Sequence, residues 1–285
     1  MTLKPVSAMT WGKMSREARD AAYNNAAGVA NSAVLNAERA KASEAWRLAH
    51  PARLDLPYGP KERCKWDLYP AADPKAPCLV FLHGGYWIMN GRENFACIAE
   101  GFAPHGWSVA LPGYSLAPDA TLAEICAEIR LALDWLVAEG PAHGVEGEII
   151  LSGWSAGAHM TALMLDHPAV VAGLAVSGLY ELGPLRDTYL QEKLSLSEEE
   201  VTTLSPLRLP ATHKPLLISY GTAELPVFVQ ESRAVHEHRA AAHAPGSLAP
   251  VAGADHFTIL YELRNPRSSL IQQTLLLSTA ASQKP

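Results

Sequence analysis

Glu148-Ile149-Ile150-Leu151-Ser152-Gly153-Trp154-Ser155-Ala156-Gly157-Ala158-His159-Met160-Thr161-Ala162-Leu163-Met164-Leu165 is the stretch on which the reading of this chain turns. An apolar run, a Gly-Trp-Ser-Ala-Gly pentapeptide and a second apolar run follow one another. This is the strand, tight turn and helix that a G-x-S-x-G motif requires to act as a nucleophile elbow. The chain must reverse sharply enough to lift the Ser155 hydroxyl above the sheet, and a side chain at either glycine would collide with neighbouring backbone. A G-x-S-x-G pentapeptide also occurs in ordinary loops, so the weight falls on what the rest of the chain places around it.

Outward from the elbow the same alternation repeats. Cys78–Leu82, Ser108–Leu111, Val170–Val176, Pro215–Tyr220 and Ser247–Val251 read as buried strands. Helices are expected from about Thr121 to Glu139, Val227 to Ala244 and Ser268 to Ser282. Such an order predicts an α/β fold with a mostly parallel central sheet, right-handed crossovers and helices on both faces. Ligands bind such sheets at the carboxyl ends of the strands, so chemistry is expected just after each strand. Two further strands, Arg53–Pro57 and Cys64–Tyr69, flank the Gly59-Pro60 turn. In the second, Cys64, Trp66 and Leu68 alternate with Lys65, Asp67 and Tyr69, which suits a half-buried antiparallel strand.

Residues 1–50 read as an N-terminal helical preface, Ala-rich and opened by Ser15. It is either a cover for the active end of the sheet or an appendage, and periodicity does not choose. Residues 51–285 form the α/β domain. Within it, residues 178–210 interrupt the alternation and are expected to form a small cap insertion rather than a plain surface excursion.

Composition narrows the class. The 285 residues are 48% apolar and 18% charged, with a net charge of −6 and no basic cluster. That argues for a globular protein without a nucleic-acid or membrane partner. Cys64, Cys78, Cys97 and Cys126 show no paired spacing and read as reduced thiols of a cytoplasmic protein. The first fourteen residues carry no signal-peptide pattern, and no apolar run is long enough to span a membrane.

A serine hydroxyl attacks only when a base takes its proton, and the base needs a carboxylate to fix its tautomer. The base expected is His256, in the loop after the last strand. The acid expected is Glu224, just beyond the Leu216–Ser219 run, with Asp255 and Glu231 as rivals. The oxyanion needs backbone donors already aimed at it. Ala156 supplies one, and Gly85 and Tyr86 of His83-Gly84-Gly85-Tyr86 supply the others. Tyr86, Trp87, Trp154, Tyr180 and Phe257, with Tyr23 from the preface, sketch a pocket for a flat aromatic substrate. His236, His238 and His243 could be read as a metal cluster, but His236 and His238 do not share a helix face, so no metal is expected.

These residues together resemble the arylformamidase (kynurenine formamidase) branch of the α/β-hydrolase superfamily. The resemblance rests on His83-Gly84-Gly85-Tyr86-Trp87, Tyr23-Asn24, Ser177-Gly178-Leu179-Tyr180-Glu181-Leu182, Ser205-Pro206 and Asp255-His256-Phe257, and runs from about residue 20 to 280. It implies the α/β-hydrolase fold and a cofactor-free serine hydrolase acting on an N-formyl aryl amine or small esters. A carboxylesterase on short-chain or aryl esters uses the same machinery, and a non-catalytic binding protein on this fold is the rival from another class. The partner implied is a small-molecule substrate, with room for a homodimer. Two departures stand out. Trp154 occupies a position where His is frequent in the branch, implying a pocket altered in shape, and the acid is Glu224 where Asp is more usual.

Overall fold

The computed structural model describes residues 11–281. The reading of the first ten residues as free of a signal sequence, and Ser282 as a helix end, lie outside that range. Eight strands form one sheet in the order β1-β2-β4-β3-β5-β6-β7-β8. They are β1 (Arg53–Pro57), β2 (Lys65–Tyr69), β3 (Cys78–Leu82), β4 (Ser108–Pro112), β5 (Ile149–Trp154), β6 (Val170–Val176), β7 (Leu216–Gly221) and β8 (Gly246–Val251). β2 is antiparallel to β1 and β4, and every later pairing is parallel. The continuous apolar runs of β3 and β5 are buried throughout because helices cover both faces. Successive side chains divide between two cores: Cys78, Val80 and Leu82 join one, while Leu79 and Phe81 join the other. Pro57 and Pro250 fall on the two edge strands, where a missing N–H costs least.

The helices that concern the site are α1 (Arg16–Tyr23), α2 (Ser32–Ala49), α3 (Leu122–Glu139), α4 (Ala156–Leu163), α5 (Glu198–Leu204), α6 (Pro226–Ala241) and α7 (Ser269–Ala281). Both α3 and α5 start on complete capping boxes, Thr121 with Glu124 and Ser197 with Glu200. Residues 178–210 contain helical turns at Gly183–Asp187, Gln191–Leu194 and Pro206–Arg208 besides α5. The buried Ser205 hydroxyl ties this segment together, accepting from Leu182 N at 3.0 Å and donating to Val201 O at 2.6 Å. The preface reaches the same segment. Trp11 Nε1 donates to Asp187 Oδ2 at 3.0 Å, and Tyr189 N donates to Asp20 Oδ1 at 2.7 Å.

β2 differs from the half-buried strand its alternation suggested. Asp67 is 0% exposed, and Tyr69 is buried as well. The second face is covered by α2, from which Trp46 meets the Tyr69 ring at 6.3 Å and Arg47 pairs with Asp67 Oδ2. Asp67 Oδ1 accepts from Arg92 Nε at 3.1 Å and from Asp55 N at 3.1 Å. A carboxylate this deep is tolerated because its oxygens are occupied by donors of opposite charge. Among the described residues no helix is long and apolar enough to cross a membrane, and all four cysteines are free and buried.

Removing Asp67 takes from Arg47 its carboxylate partner and from Arg92 one of two, Asp55 remaining, and leaves the Asp55 N–H without its acceptor. Asp67→Ala is expected to lower unfolding free energy by about 3 kcal/mol, read as a reduced midpoint in urea with little change in slope.

Candidate active site

The elbow is built by two close backbone approaches. A Cβ on Gly157 would lie 2.0 Å from Leu82 O, and one on Gly153 would lie 2.3 Å from the Gly157 carbonyl carbon. α4 can therefore press against the ends of β3 and β5 only with hydrogen at both positions. Ser155 takes φ 58° and ψ −118° between β5 and α4, and its N–H donates to Val176 O at 2.8 Å. This strained conformation is held by the pairing on either side of it.

His256 stands in the loop after β8, with Nε2 3.1 Å from Ser155 Oγ and Nδ1 2.7 Å from Glu224 Oε2. With the carboxylate on Nδ1, that nitrogen carries the hydrogen and Nε2 offers its lone pair to the serine. Glu224 follows β7, and its Oε1 accepts from Ser177 Oγ and from Gly221 N, both at 2.6 Å. The rivals are engaged elsewhere. Asp255 Oδ1 accepts from Phe257 N and Thr258 N, each at 2.8 Å, and so fixes the loop that carries the histidine. Glu231 lies in α6 and accepts from the N–H groups of Tyr180 and Glu181, with the Tyr23 hydroxyl 3.4 Å away.

The turn after β3 lies against the elbow, since a Cβ on Gly84 would come within 3.0 Å of Ser155 Cβ. Gly85 adopts φ 121° and Tyr86 φ 50°. Asn90 Nδ2 donates to Gly84 O at 3.0 Å, and the N–H groups of Ile88 and Met89 donate to Gly85 O. The N–H groups of Gly85, Tyr86 and Ala156 have no acceptor among the described residues, the condition of donors reserved for a developing oxyanion. His83 is buried behind them, stacked on Tyr114 at 4.1 Å, and burial pushes its imidazole down to about 3. It is neutral and part of the packing.

The expected pocket aromatics divide. Phe257 is half-buried and meets His256 at 5.8 Å and Trp154 at 6.0 Å. Tyr86 is buried and donates its hydroxyl hydrogen to Tyr23 O at 2.5 Å. Trp87 and Tyr180 are wholly buried in the core, Trp87 with its ring edge-on to His159 of α4 at 4.9 Å, so neither is a free pocket wall. Tyr23 is buried against Phe228 at 6.4 Å. Trp154 differs most from expectation. Its indole Nε1 donates to His256 O at 2.8 Å, and its ring packs near Phe95 and under the Arg39 guanidinium, which is 5.6 Å away. The residue before the serine thus braces the base loop.

Two residues near the triad went unassigned in the sequence. Ser177 holds Glu224, and Phe228 of α6 meets the His256 ring at 4.5 Å. Ser177 carried a signal as the residue directly after β6, whereas Phe228 looked like any apolar position of a helix. Among the described residues no group of three or more His, Cys, Asp or Glu side chains is placed to hold a metal ion.

The profile of the BD-FAE family matches residues 67–167. The chain is 26% identical to a kynurenine formamidase of Danio rerio over 74% of this chain and 76% of that one, and 27% identical to one of Salmo salar over the same shares. A solved candidate thioesterase of Silicibacter sp. superposes with a TM-score of 0.79 at 30% identity, covering 89% of this chain and 97% of the other. An esterase B structure from Lactobacillus rhamnosis, 17% identical, shares the fold with a TM-score of 0.70 over 90% and 96% of the two chains. Sheet order, elbow and relatives define an enzyme that hydrolyses amide or ester bonds. The chain belongs to the α/β-hydrolase superfamily and is similar to kynurenine formamidases over about three quarters of its length.

Two outcomes follow from these contacts. Trp154→Phe keeps the ring but leaves the His256 carbonyl without its donor, so kcat is expected to fall roughly tenfold with KM little changed, measured by steady-state kinetics. Burial pushes the Glu231 carboxyl up to about 7, more than the Tyr180 and Glu181 N–H groups pull it down. The native state then holds a proton that the unfolded chain has released, so this contribution is full below the ordinary carboxylate range and lost as pH rises through about 7. The melting temperature of the native protein should therefore decline relative to Glu231→Gln between pH 5 and pH 7, both followed by calorimetry.

Proposed function

We propose that Ser155 is the nucleophile, His256 the general base and Glu224 the acid that orients it. The observation that carries this reading is the continuous hydrogen-bonded chain from Ser155 Oγ through both nitrogens of His256 to Glu224 Oε2. Ser155 attacks the substrate carbonyl as His256 Nε2 takes its proton, and the N–H groups of Gly85, Tyr86 and Ala156 stabilise the oxyanion. The imidazolium, stabilised by Glu224, gives that proton to the leaving amine or alkoxide. Water, deprotonated by His256, then attacks the acyl-enzyme and regenerates the serine.

The substrate proposed is a small N-acyl aryl amine, a formyl amide first of all, with hydrolysis in the manner of an arylformamidase. The kynurenine formamidase relatives support the bond type. The enclosure of Ser155, 2% exposed, supports a small acyl group. We infer that the preface and the 178–210 insertion roof the site, a reading supported by their meeting at Trp11–Asp187 and Asp20–Tyr189. A carboxylesterase activity on short-chain or aryl esters is the second reading, favoured by the Fusarium pseudograminearum esterase, 31% identical over 38% of this chain. A cytoplasmic location accords with four buried cysteines that remain free thiols.

Comparison of kcat/KM on N-formyl aryl amines with that on a p-nitrophenyl acyl series separates amidase from esterase. Ser155→Ala is expected to lose activity by a factor on the order of 10⁶ with an unchanged melting profile. Native protein should be labelled by a fluorophosphonate at Ser155. Turnover by the variant, or absence of labelling, would overturn the assignment in favour of a binding protein.

A further inference from the structure

The preface segment from Tyr23 to Gly28 lies against three parts of the site at once. Tyr23 packs on Phe228, which in turn packs on His256. A Cβ on Gly28 would lie 3.1 Å from Cδ2 of Leu225, the neighbour of Glu224. Between them, Asn25 places Nδ2 3.4 Å from the hydroxyl of Tyr86, a residue of the oxyanion turn. The Asn25 side chain is enclosed, with the residue 5% exposed, and its Oδ1 has no hydrogen-bond partner among the described residues.

The orientation of that amide is fixed by its neighbour. The phenolic hydrogen of Tyr86 is committed to Tyr23 O at 2.5 Å, so the phenol can offer Asn25 only a lone pair. Asn25 must therefore present its NH₂ to Tyr86, and the atom turned the other way is a carbonyl oxygen. A buried carbonyl left without a donor is unfavourable, and such atoms in native proteins call for an explanation. An arylamide carries an N–H where the isosteric aryl ester carries an oxygen that can only accept. The first would satisfy Oδ1, and the second would face it with a like lone pair.

We propose that Asn25 is a specificity-determining residue whose Oδ1 accepts a hydrogen bond from an N–H of the bound substrate, so that the site selects arylamides over isosteric aryl esters. This rests on Ser155 being the nucleophile of a small acyl-transfer site. It also gives the preface a part in substrate choice, through a residue in contact with Tyr86 of the turn proposed to hold the oxyanion.

The test is the ratio of kcat/KM on 4-nitroformanilide to that on 4-nitrophenyl formate, measured for the native protein, Asn25→Leu and Asn25→Asp, with melting curves for each. Asn25→Leu should lower the amide-to-ester ratio roughly tenfold, the worth of one buried hydrogen bond. Asn25→Asp retains an acceptor and should keep the ratio within about threefold of native. If Asn25→Leu does not fold, Asn25→Ser, too short to reach, replaces it with the same expectation. A ratio unmoved in the shortened or apolar variant overturns the proposal, as does an equal shift in Asn25→Asp, since either would mean that Asn25 acts only through packing. Native protein that cleaves neither substrate overturns the serine-hydrolase reading and this proposal together, an outcome separate from an unmoved ratio on active enzyme.

Discussion

The contact on which the site depends is the approach of Gly157 to the carbonyl of Leu82, so close that a Cβ there would fall 2.0 Å from the oxygen. Leu82 is the last residue of β3, and the residues after it are the His83-Gly84-Gly85-Tyr86 turn. Pressing α4 onto the end of β3 therefore does two things at once. It sets the direction in which the Ser155 hydroxyl leaves the sheet, and it goes with the turn after β3 lying against the same residue, a Cβ on Gly84 falling 3.0 Å from Ser155 Cβ. Ser155 and the turn proposed to supply the oxyanion donors come from segments about 70 residues apart, yet the approach of Gly157 to Leu82 ties the two segments together. Rigid placement of this kind is what electrostatic stabilisation of a transition state needs, because the donors must not reorganise when charge appears.

The acid side is built differently, by reach. Glu224 stands three residues beyond Gly221, the end of β7, and its carboxylate folds back so that Oε1 accepts from the Gly221 N–H. Ser177, at the end of the neighbouring β6, donates to the same oxygen, which leaves Oε2 for His256. The longer side chain accommodates a turn of this length, and two donors hold it against rotation. Trp154 acts from the other side, fixing the His256 carbonyl while Asp255 fixes the loop amides that follow. The imidazole is thus held through its ring and through its backbone, by residues at the ends of three different strands.

The sequence made the parallel sheet, the elbow and the chain order of serine, glutamate and histidine legible, because each leaves a local mark. Buried strands read as unbroken apolar runs, a sharp turn demands glycine, and the residues after strands are few enough to inspect. What it could not show are partners brought together from a distance. Asp67 looked like the solvent side of an alternating strand, since nothing nearby reveals that α2, some 20 residues earlier, lies over it with Arg47. Trp154 read as a pocket wall because an indole after a strand end has no visible bond, and its donor function appears only when the His256 loop, 102 residues on, closes over it. Asn25 carried no signal at all, for its distinction is an unpaired oxygen, which is a property of the packed protein.

The preface and the 178–210 insertion share a further anchor in Glu231 of α6. Its carboxyl receives the N–H groups of Tyr180 and Glu181 from the insertion, and the hydroxyl of Tyr23 from the preface stands 3.4 Å away. The two segments are therefore bound to one buried group as well as to each other. α6 starts two residues after Glu224 and carries Phe228 against His256, so the group that fastens the roof and the ring that packs on the base ride on the same helix. Movement of either segment away from α6 would have to break buried hydrogen bonds at Glu231, and movement of α6 with them would disturb the packing of Phe228 on His256. The cost of leaving those donors and that carboxyl unpaired opposes such movement, so both segments and the packing against His256 are held through one helix.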